Sequence, residues 1–217
     1  MRVAVLGTGA AGRAIATRLL GLGHEVTMGS RTADGEALAE WLAANPGEGA
    51  KGGTFAAAAA GSELVFNCTA GTASLAALEA AGAGNLAGKT LVDVANPLDF
   101  SAGFPPRLSV CNDDSLAEQI QAAFPETRVV KSLNTVNNAV MVDPGRVRGD
   151  HAVFICGDDE AAKAQVRALL EAFGWPHDSI VDLGDLSGAR ATEMYLALWV
   201  RLYGTLDSAD FNIAIAR

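Results

Sequence analysis

The chain has 217 residues, half of them hydrophobic, with 16 Lys and Arg against 25 Asp and Glu and a formal charge of -9. That length suits one large domain or a domain with a small appendage, and the apolar content suffices for a proper core. The acidic balance argues against nucleic acid or an anionic membrane as the main partner, but not against a phosphorylated ligand, which local amides and one or two arginines can hold.

The chain opens on an apolar strand, Val3–Leu6, that runs directly into Gly7-Thr8-Gly9-Ala10-Ala11-Gly12 and then into an amphipathic helix. In a strand–G-x-G-x-x-G–helix unit the first glycine permits a tight turn and the second lets backbone approach a pyrophosphate. The third lets helix and strand pack closely. Free N–H groups and the positive end of the helix dipole then attract the anion. Ile15, Leu19 and Leu22 fall at i, i+4 and i+7 on the first helix, and Gly23 is a suitable terminator. Glu25–Met28 reads as the second strand. Leu38, Trp41 and Leu42 give the second helix its buried stripe, and Asn45 to Gly53 reads as an exposed Pro/Gly-rich loop.

Phe55–Ala60 is predicted as a short alanine-rich helix, Leu64–Cys68 as a strand, Ala73–Ala81 as a helix and Thr90–Val94 as another buried strand. Pro97 to Asp113 reads as a long loop over the top of the sheet. A helix at Ser115–Phe124, strands at Arg128–Ser132 and Ala152–Cys156, and a helix at Glu160–Phe173 capped by Asp159 follow. Ile180–Leu183 is the last short strand, and Leu186–Leu206 reads as one long apolar helix, with Met194, Leu198 and Leu202 as a packed stripe. Uninterrupted apolar strands separated by helices indicate a parallel sheet covered on both faces. The predicted fold is therefore α/β, a Rossmann-type doubly wound, mostly parallel sheet. Residues 1–150 form its nucleotide-binding domain and 151–217 a short α/β plus helical C-terminal extension.

Cys68, Cys111 and Cys156 are too few and too scattered for a disulfide framework or zinc site, and Cys68 and Cys156 read as small buried hydrophobes. No basic-then-apolar leader opens the chain, and its apolar stretches fall short of the roughly 18 residues needed to span a bilayer. A soluble, cytoplasmic protein is expected.

At the end of the second strand an acid selects the ribose hydroxyl of NAD, whereas an arginine accommodates the 2′-phosphate of NADP. Met28-Gly29-Ser30-Arg31 offers no acid there: Glu25 comes too early and Asp34 lies past the tip. Ser30 and Arg31 favour NADP. Ligands in such folds bind beyond the carboxyl ends of the strands, so Cys68, Thr69 and Ala70, then Ala95, Asn96 and Pro97, then Asn134 and Thr135 are the further candidate cofactor-binding residues. No nucleophile elbow, catalytic triad or metal-ligand set is present. His24, His151 and His177 read as structural, and Lys131 near a strand end as a satisfied structural lysine. No catalytic acid or base is therefore assigned. Hydride transfer between two bound cofactors needs none, because positioning of the reacting carbons supplies most of the catalysis.

These residues carry a resemblance. Gly7-Thr8-Gly9-Ala10-Ala11-Gly12, Ser30-Arg31, the segment Val130 to Thr135 with its K-x-x-N-T pattern, and Gly184 to Arg190 with its G-x-L-x-x-A-R pattern resemble the coenzyme F(420)-dependent NADP oxidoreductases. The Steap metalloreductase cytoplasmic domain and, more remotely, pyrroline-5-carboxylate reductase belong to the same superfamily. The resemblance implies NADP along the first four strand ends and a deazaflavin or flavin (coenzyme F(420), FMN or FAD) over Ala95, Asn96, Asn134 and Thr135. Gly188–Leu206, with Arg190, Glu193, Met194 and Trp199, would wall that acceptor. The predicted function is NADP(H)-dependent oxidoreduction with a small-molecule acceptor. The alternatives are a non-catalytic NADP(H)-sensing module or a reductase of a small imine or carbonyl, the latter disfavoured because only a short segment follows Asp150. The apolar C-terminal helix suits a homodimer surface or closure of the monomer's own core.

Overall fold

The computed structural model describes residues 1–216. Its first half comprises β1 (Arg2–Leu6), α1 (Ala10–Gly21), β2 (Glu25–Ser30), α2 (Glu36–Ala44), β3 (Ala50–Thr54), α3 (Phe55–Ala60), β4 (Leu64–Asn67), α4 (Gly71–Ala81), α5 (Ala83–Leu86) and β5 (Thr90–Asp93). After the two-residue strands β6 (Leu98–Asp99) and β7 (Arg107–Leu108) come α6 (Leu116–Ala123), β8 (Arg128–Ser132), α7 (Asn138–Val142), β9 (Val153–Gly157) and α8 (Glu160–Phe173). The chain closes with β10 (Ile180–Asp182), α9 (Gly188–Met194) and α10 (Leu196–Leu206).

Eight strands form one sheet in the order β10-β9-β8-β5-β4-β1-β2-β3. Every pair from β3 to β8 is parallel; β9 then runs antiparallel to β8, and β10 parallel to β9. Strand order reverses beside β1, which has β2 on one side and β4 on the other, so a crevice opens beyond the carboxyl ends of β1 and β4. Within β1, Val3 and Val5 face the layer of α1, α2, α7 and α8, whereas Ala4 and Leu6 face that of α3, α4, α5 and α6. Burial on both faces is why these strands read as continuous apolar runs instead of alternating ones. Each such fully buried Val or Leu contributes roughly 1.5–3 kcal/mol relative to exposure.

Three segments differ from the sequence expectation. The expected loop at Asn45 to Gly53 contains an edge strand, because Ala50–Thr54 pairs with β2 from Val26↔Ala50 to Ser30↔Thr54. Its sequence, Ala-Lys-Gly-Gly-Thr, carries no strand signal; a Cβ at Gly52 would lie 3.0 Å from methyls of Leu38 and Leu42, so the glycine makes room for α2 over the sheet. The loop at Pro97 to Asp113 holds a small hairpin that pairs Leu98 with Leu108. The expected single C-terminal helix is two, α9 and α10, meeting at Tyr195. Met194, Leu198 and Leu202 are also not a packed stripe: Leu198 is 55% exposed and Met194 37%. Glu193, Leu196 and Val200 instead share the buried face, and the ion pair of Glu193 with Lys131 fixes that rotation.

Candidate functional site

The turn after β1 separates two kinds of glycine. Gly7 adopts φ +117° and donates its N–H to the Gly29 carbonyl at 2.9 Å; a Cβ there would sit 2.5 Å from the Cys68 carbonyl oxygen. A Cβ on Gly12 would lie 2.1 Å from the Gly7 oxygen, so α1 can cross β1 only with glycine at that contact. Gly9 has ordinary extended backbone, and a Cβ there would meet nothing within 4 Å. The fold requires the first and third glycines, whereas the second leaves a cradle open on its outer side. Arg13 braces the turn: its Nε donates to the Thr8 carbonyl at 3.0 Å, and Nη2 to the Ala37 carbonyl and to Glu40.

Beyond the turn lies a crevice of about 890 Å³. Of the candidate residues, Gly7, Thr8, Gly9, Ser30, Arg31, Cys68, Thr69 and Ala70 line it. Three helices begin uncapped on its wall, at the N-cap residues Gly9, Gly35 and Ala70, none of which supplies a side-chain cap. The α3 start on the same wall is capped by Thr54; away from it α6, α7 and α8 are capped by Ser115, Asn137 and Asp159, while α5 starts at Gly82 without a side-chain cap. The crevice thus collects uncapped amides and three positive dipole ends, an environment suited to an anion. Arg31 is exposed at the rim and has neither hydrogen-bond partner nor ion pair among the described residues. Ser30 Oγ donates to the Thr32 carbonyl, folding the loop that carries Arg31. Cys68 is a crevice residue and not simply a core hydrophobe, although burial of its thiol and the nearby Asp93 push its pKa up, keeping it protonated.

The remaining candidates sit behind or beside this space. Ala10, Ala11 and Gly12 form the first turn of α1. Ala95, Asn96, Pro97, Asn134 and Thr135 gather at the exits of β5 and β8 and are outside the crevice lining. Asn96 and Asn134 clip these exits together: Asn96 Nδ2 donates to the Asn134 carbonyl at 2.8 Å, and Asn134 Nδ2 to Asn96 Oδ1 at 2.9 Å. The two clusters meet where Gly71 packs on Asn96, since a Cβ on Gly71 would lie 1.9 Å from the Asn96 oxygen. Leu133 takes φ +64°, a conformation uncommon for its type, and Thr135 Oγ1 is buried without a hydrogen-bond partner among the described residues. A polar ligand group at this exit would satisfy that hydroxyl.

Beneath both clusters runs a buried polar chain. Thr69 Oγ1 donates to Asn67 Oδ1 at 2.7 Å, Asn67 Nδ2 to Asp93 at 2.8 Å, and Lys131 Nζ to Asp93 at 2.7 Å. Lys131 Nζ also bonds the Ala95 carbonyl at 2.5 Å and Glu193 at 2.7 Å. All three ammonium donors are therefore used, and Lys131 is a structural lysine with no N–H donor left free for a ligand. Burial draws its pKa down, but Asp93 and Glu193 outweigh burial and hold it above the ordinary lysine value. Two of the three histidines are likewise engaged: His177 pairs with Glu171, and His151 packs edge-on against Trp175, while its Nε2 lies 3.0 Å from the Pro144 carbonyl oxygen. Among the described residues no cluster of metal-ligating side chains exists.

Several wall residues had no sequence signal of their own, namely Thr32, Glu36, the α3 start at Phe55–Ala56, and the α4 alanines Ala73, Ala76, Ala77 and Ala80. Gly35 and Ala70 stand at helix starts without a side-chain cap, as Gly82 does at α5 away from the crevice, so the missing caps did not single out this wall. The segment Gly188–Leu206 is tied down by contacts within the chain. Arg190 is held by Glu118 at 2.6 Å, Glu193 is buried, and Trp199 stacks between Tyr203 and Phe211 at centroid distances of 5.6 and 5.4 Å.

The parallel sheet, the reversal crevice and the three-glycine turn define a Rossmann-type α/β fold of the nucleotide-binding kind. The family model for NADP oxidoreductase, coenzyme F(420)-dependent, matches residues 2–97. A solved structure from Arthrobacter sp. FB24, a candidate F(420)-dependent NADP-reductase, is 54% identical with a TM-score of 0.94, covering 100% of both chains. Metalloreductase STEAP3 of Rattus norvegicus is 35% identical over 196 residues, which is 88% of this chain and 36% of that protein. The F420-dependent NADP reductase of Methanocaldococcus jannaschii is 32% identical over 133 residues, 60% of this chain and 57% of that protein. The chain belongs to the coenzyme F(420)-dependent NADP oxidoreductase family, and its matches span about a third and somewhat over half of these two curated relatives. No helix among the described residues is long and apolar enough to cross a membrane.

Proposed function

We propose that this chain moves hydride between NADP(H) and a deazaflavin acceptor, coenzyme F(420), with FMN or FAD as the other acceptors of matching chemistry. The observation that carries this reading is a division of labour. One crevice concentrates anion-binding groups, whereas Lys131, Asp93 and Glu193 beneath the strand exits are already spent on each other. The Gly9 cradle and the uncapped start of α1 fit a diphosphate, and Arg31 with Ser30 fits the 2′-phosphate of the adenosine ribose. Asn96, Asn134 and the unpaired Thr135 hydroxyl fit an amide and ribose at the other end. NADPH supplies the hydride when bound.

The protein's own contribution is then binding, orientation and exclusion of water. Alcohol or imine reduction would call for a proton donor, yet Lys131, Asp93 and Glu193 are locked in mutual contacts. The name of the Methanocaldococcus jannaschii relative supports F(420) as the acceptor. The test is NADPH oxidation followed with the purified chain and F(420), FMN or FAD in turn. The reading expects one of them to accelerate NADPH loss; no acceleration by any would defeat it in favour of a non-catalytic nucleotide sensor.

A further inference from the structure

Glu193 stands outside every nucleotide-lining element, yet its side chain is buried and fully engaged. One carboxylate oxygen lies 2.7 Å from Lys131 Nζ; the other accepts the Leu116 N–H at 2.8 Å, and Ala117 N–H adds a contact of 3.2 Å. The acid from α9 thus caps α6 and anchors Lys131 at once. Lys131 in turn holds the Ala95 carbonyl, while Asp93, its other carboxylate partner, accepts the Ala95 N–H at 3.3 Å. Both backbone polar groups of Ala95 are therefore fixed by this charged cluster. The next residue, Asn96, is clipped to Asn134 and touches Gly71. A second arm runs from Asp93 through Asn67 to Thr69 on the crevice wall.

We propose that Glu193 is a positioning residue: acting through Lys131, it sets the Ala95–Asn96 strand exit against which the nicotinamide half of the nucleotide rests, leaving the adenosine half untouched. This rests on the reading of the crevice as an NADP(H) site. A buried three-member ion cluster with the ammonium between two carboxylates has one satisfied geometry, so removing one charge forces the ammonium and the carbonyl it holds to rearrange. Residues at the far end of the crevice, Arg31 and Ser30, share no contact with it.

The test uses the full chain as wild type and Glu193→Gln, with two probes. Adenosine 2′,5′-bisphosphate reports the adenosine half alone, and NADPH reports both halves through its affinity and the nicotinamide emission on binding. Glu193→Gln should bind the bisphosphate within about twofold of wild type, while NADPH binding weakens at least fivefold and its emission gain is lost. Unchanged NADPH affinity and emission in that variant overturn the proposal, as does equal weakening of both probes, which marks a general structural role. If the wild type binds neither probe, the NADP(H) reading itself fails and takes the proposal with it. Glu193→Asp keeps the charge but withdraws it by one methylene from Lys131; it gives the same two readouts should Glu193→Gln not fold.

Discussion

Adding one methyl group to the glycine turn should separate binding from folding. At Gly9, alanine fits the extended backbone and meets no atom within 4 Å. Its weaker helix-capping tendency is offset by the smaller entropy of the unfolded chain, so net stability should stay within about 1 kcal/mol. That is a melting shift of at most about 2–4 °C for a chain of this size. The same methyl projects into the cradle and keeps a phosphate away from the amides at the start of α1. Loss of one charge-assisted hydrogen bond costs about 1.5–3 kcal/mol, hence about 10- to 150-fold in Kd. At Gly12 the outcome reverses, because the methyl would overlap the Gly7 oxygen at 2.1 Å and α1 must lift from β1. Overpacking against backbone of this kind costs about 3 kcal/mol, or roughly 6–12 °C in melting temperature. Thermal melting and NADP calorimetry on both variants make the comparison. A Gly9→Ala protein that binds NADP as tightly as wild type would refute the placement of phosphate over that glycine.

Arg31→Ala should weaken NADP but not NAD. Arg31 is solvent-exposed, so the lost contact sits at the low end of the charge-assisted range, about 1.5–2 kcal/mol or about 10- to 30-fold; an unchanged ratio of the two affinities removes Arg31 from the site. Glu118 predicts the response to acid. Its hydrogen bonds from Arg190, then from Ser115, outweigh burial and hold its carboxyl below the ordinary range. A depressed folded-state pKa gives stability that is present above the unfolded value of about 4.3 and lost as pH falls through the folded value. Glu118→Gln should therefore lower the melting temperature at neutral pH and narrow its gap to wild type in acid. Parallel wild-type and variant curves between pH 7 and pH 3 would show that the pair carries no weight.

The framework was legible because both faces of the sheet are buried. Val3–Leu6, Leu64–Phe66 and Leu91–Val92 had to read as apolar runs, and the glycine spacing after the first run marked the turn. β3 was illegible for the opposite reason: Gly52 and Gly53 have no side chains to pattern, and the pairing is recruited by the edge of β2. The rotation of α9 and α10 escaped because the largely apolar α10 has no preferred inward face by composition, and the acid that α9 turns inward, Glu193, would by itself be read as outward-facing. One charged contact, Glu193 to Lys131, decides it from far away in sequence. On the crevice, strand-end residues were readable from topology. The α4 alanines and Thr32 were not, since nothing in a small or hydroxyl residue distinguishes a cavity wall from packing.

Titration calorimetry of the wild-type chain with NADP and with NAD tests the account most directly. Saturable one-to-one heat with NADP and affinity for NAD at least about tenfold weaker is the result it predicts. Heat from neither coenzyme, or a preference for NAD, would contradict it.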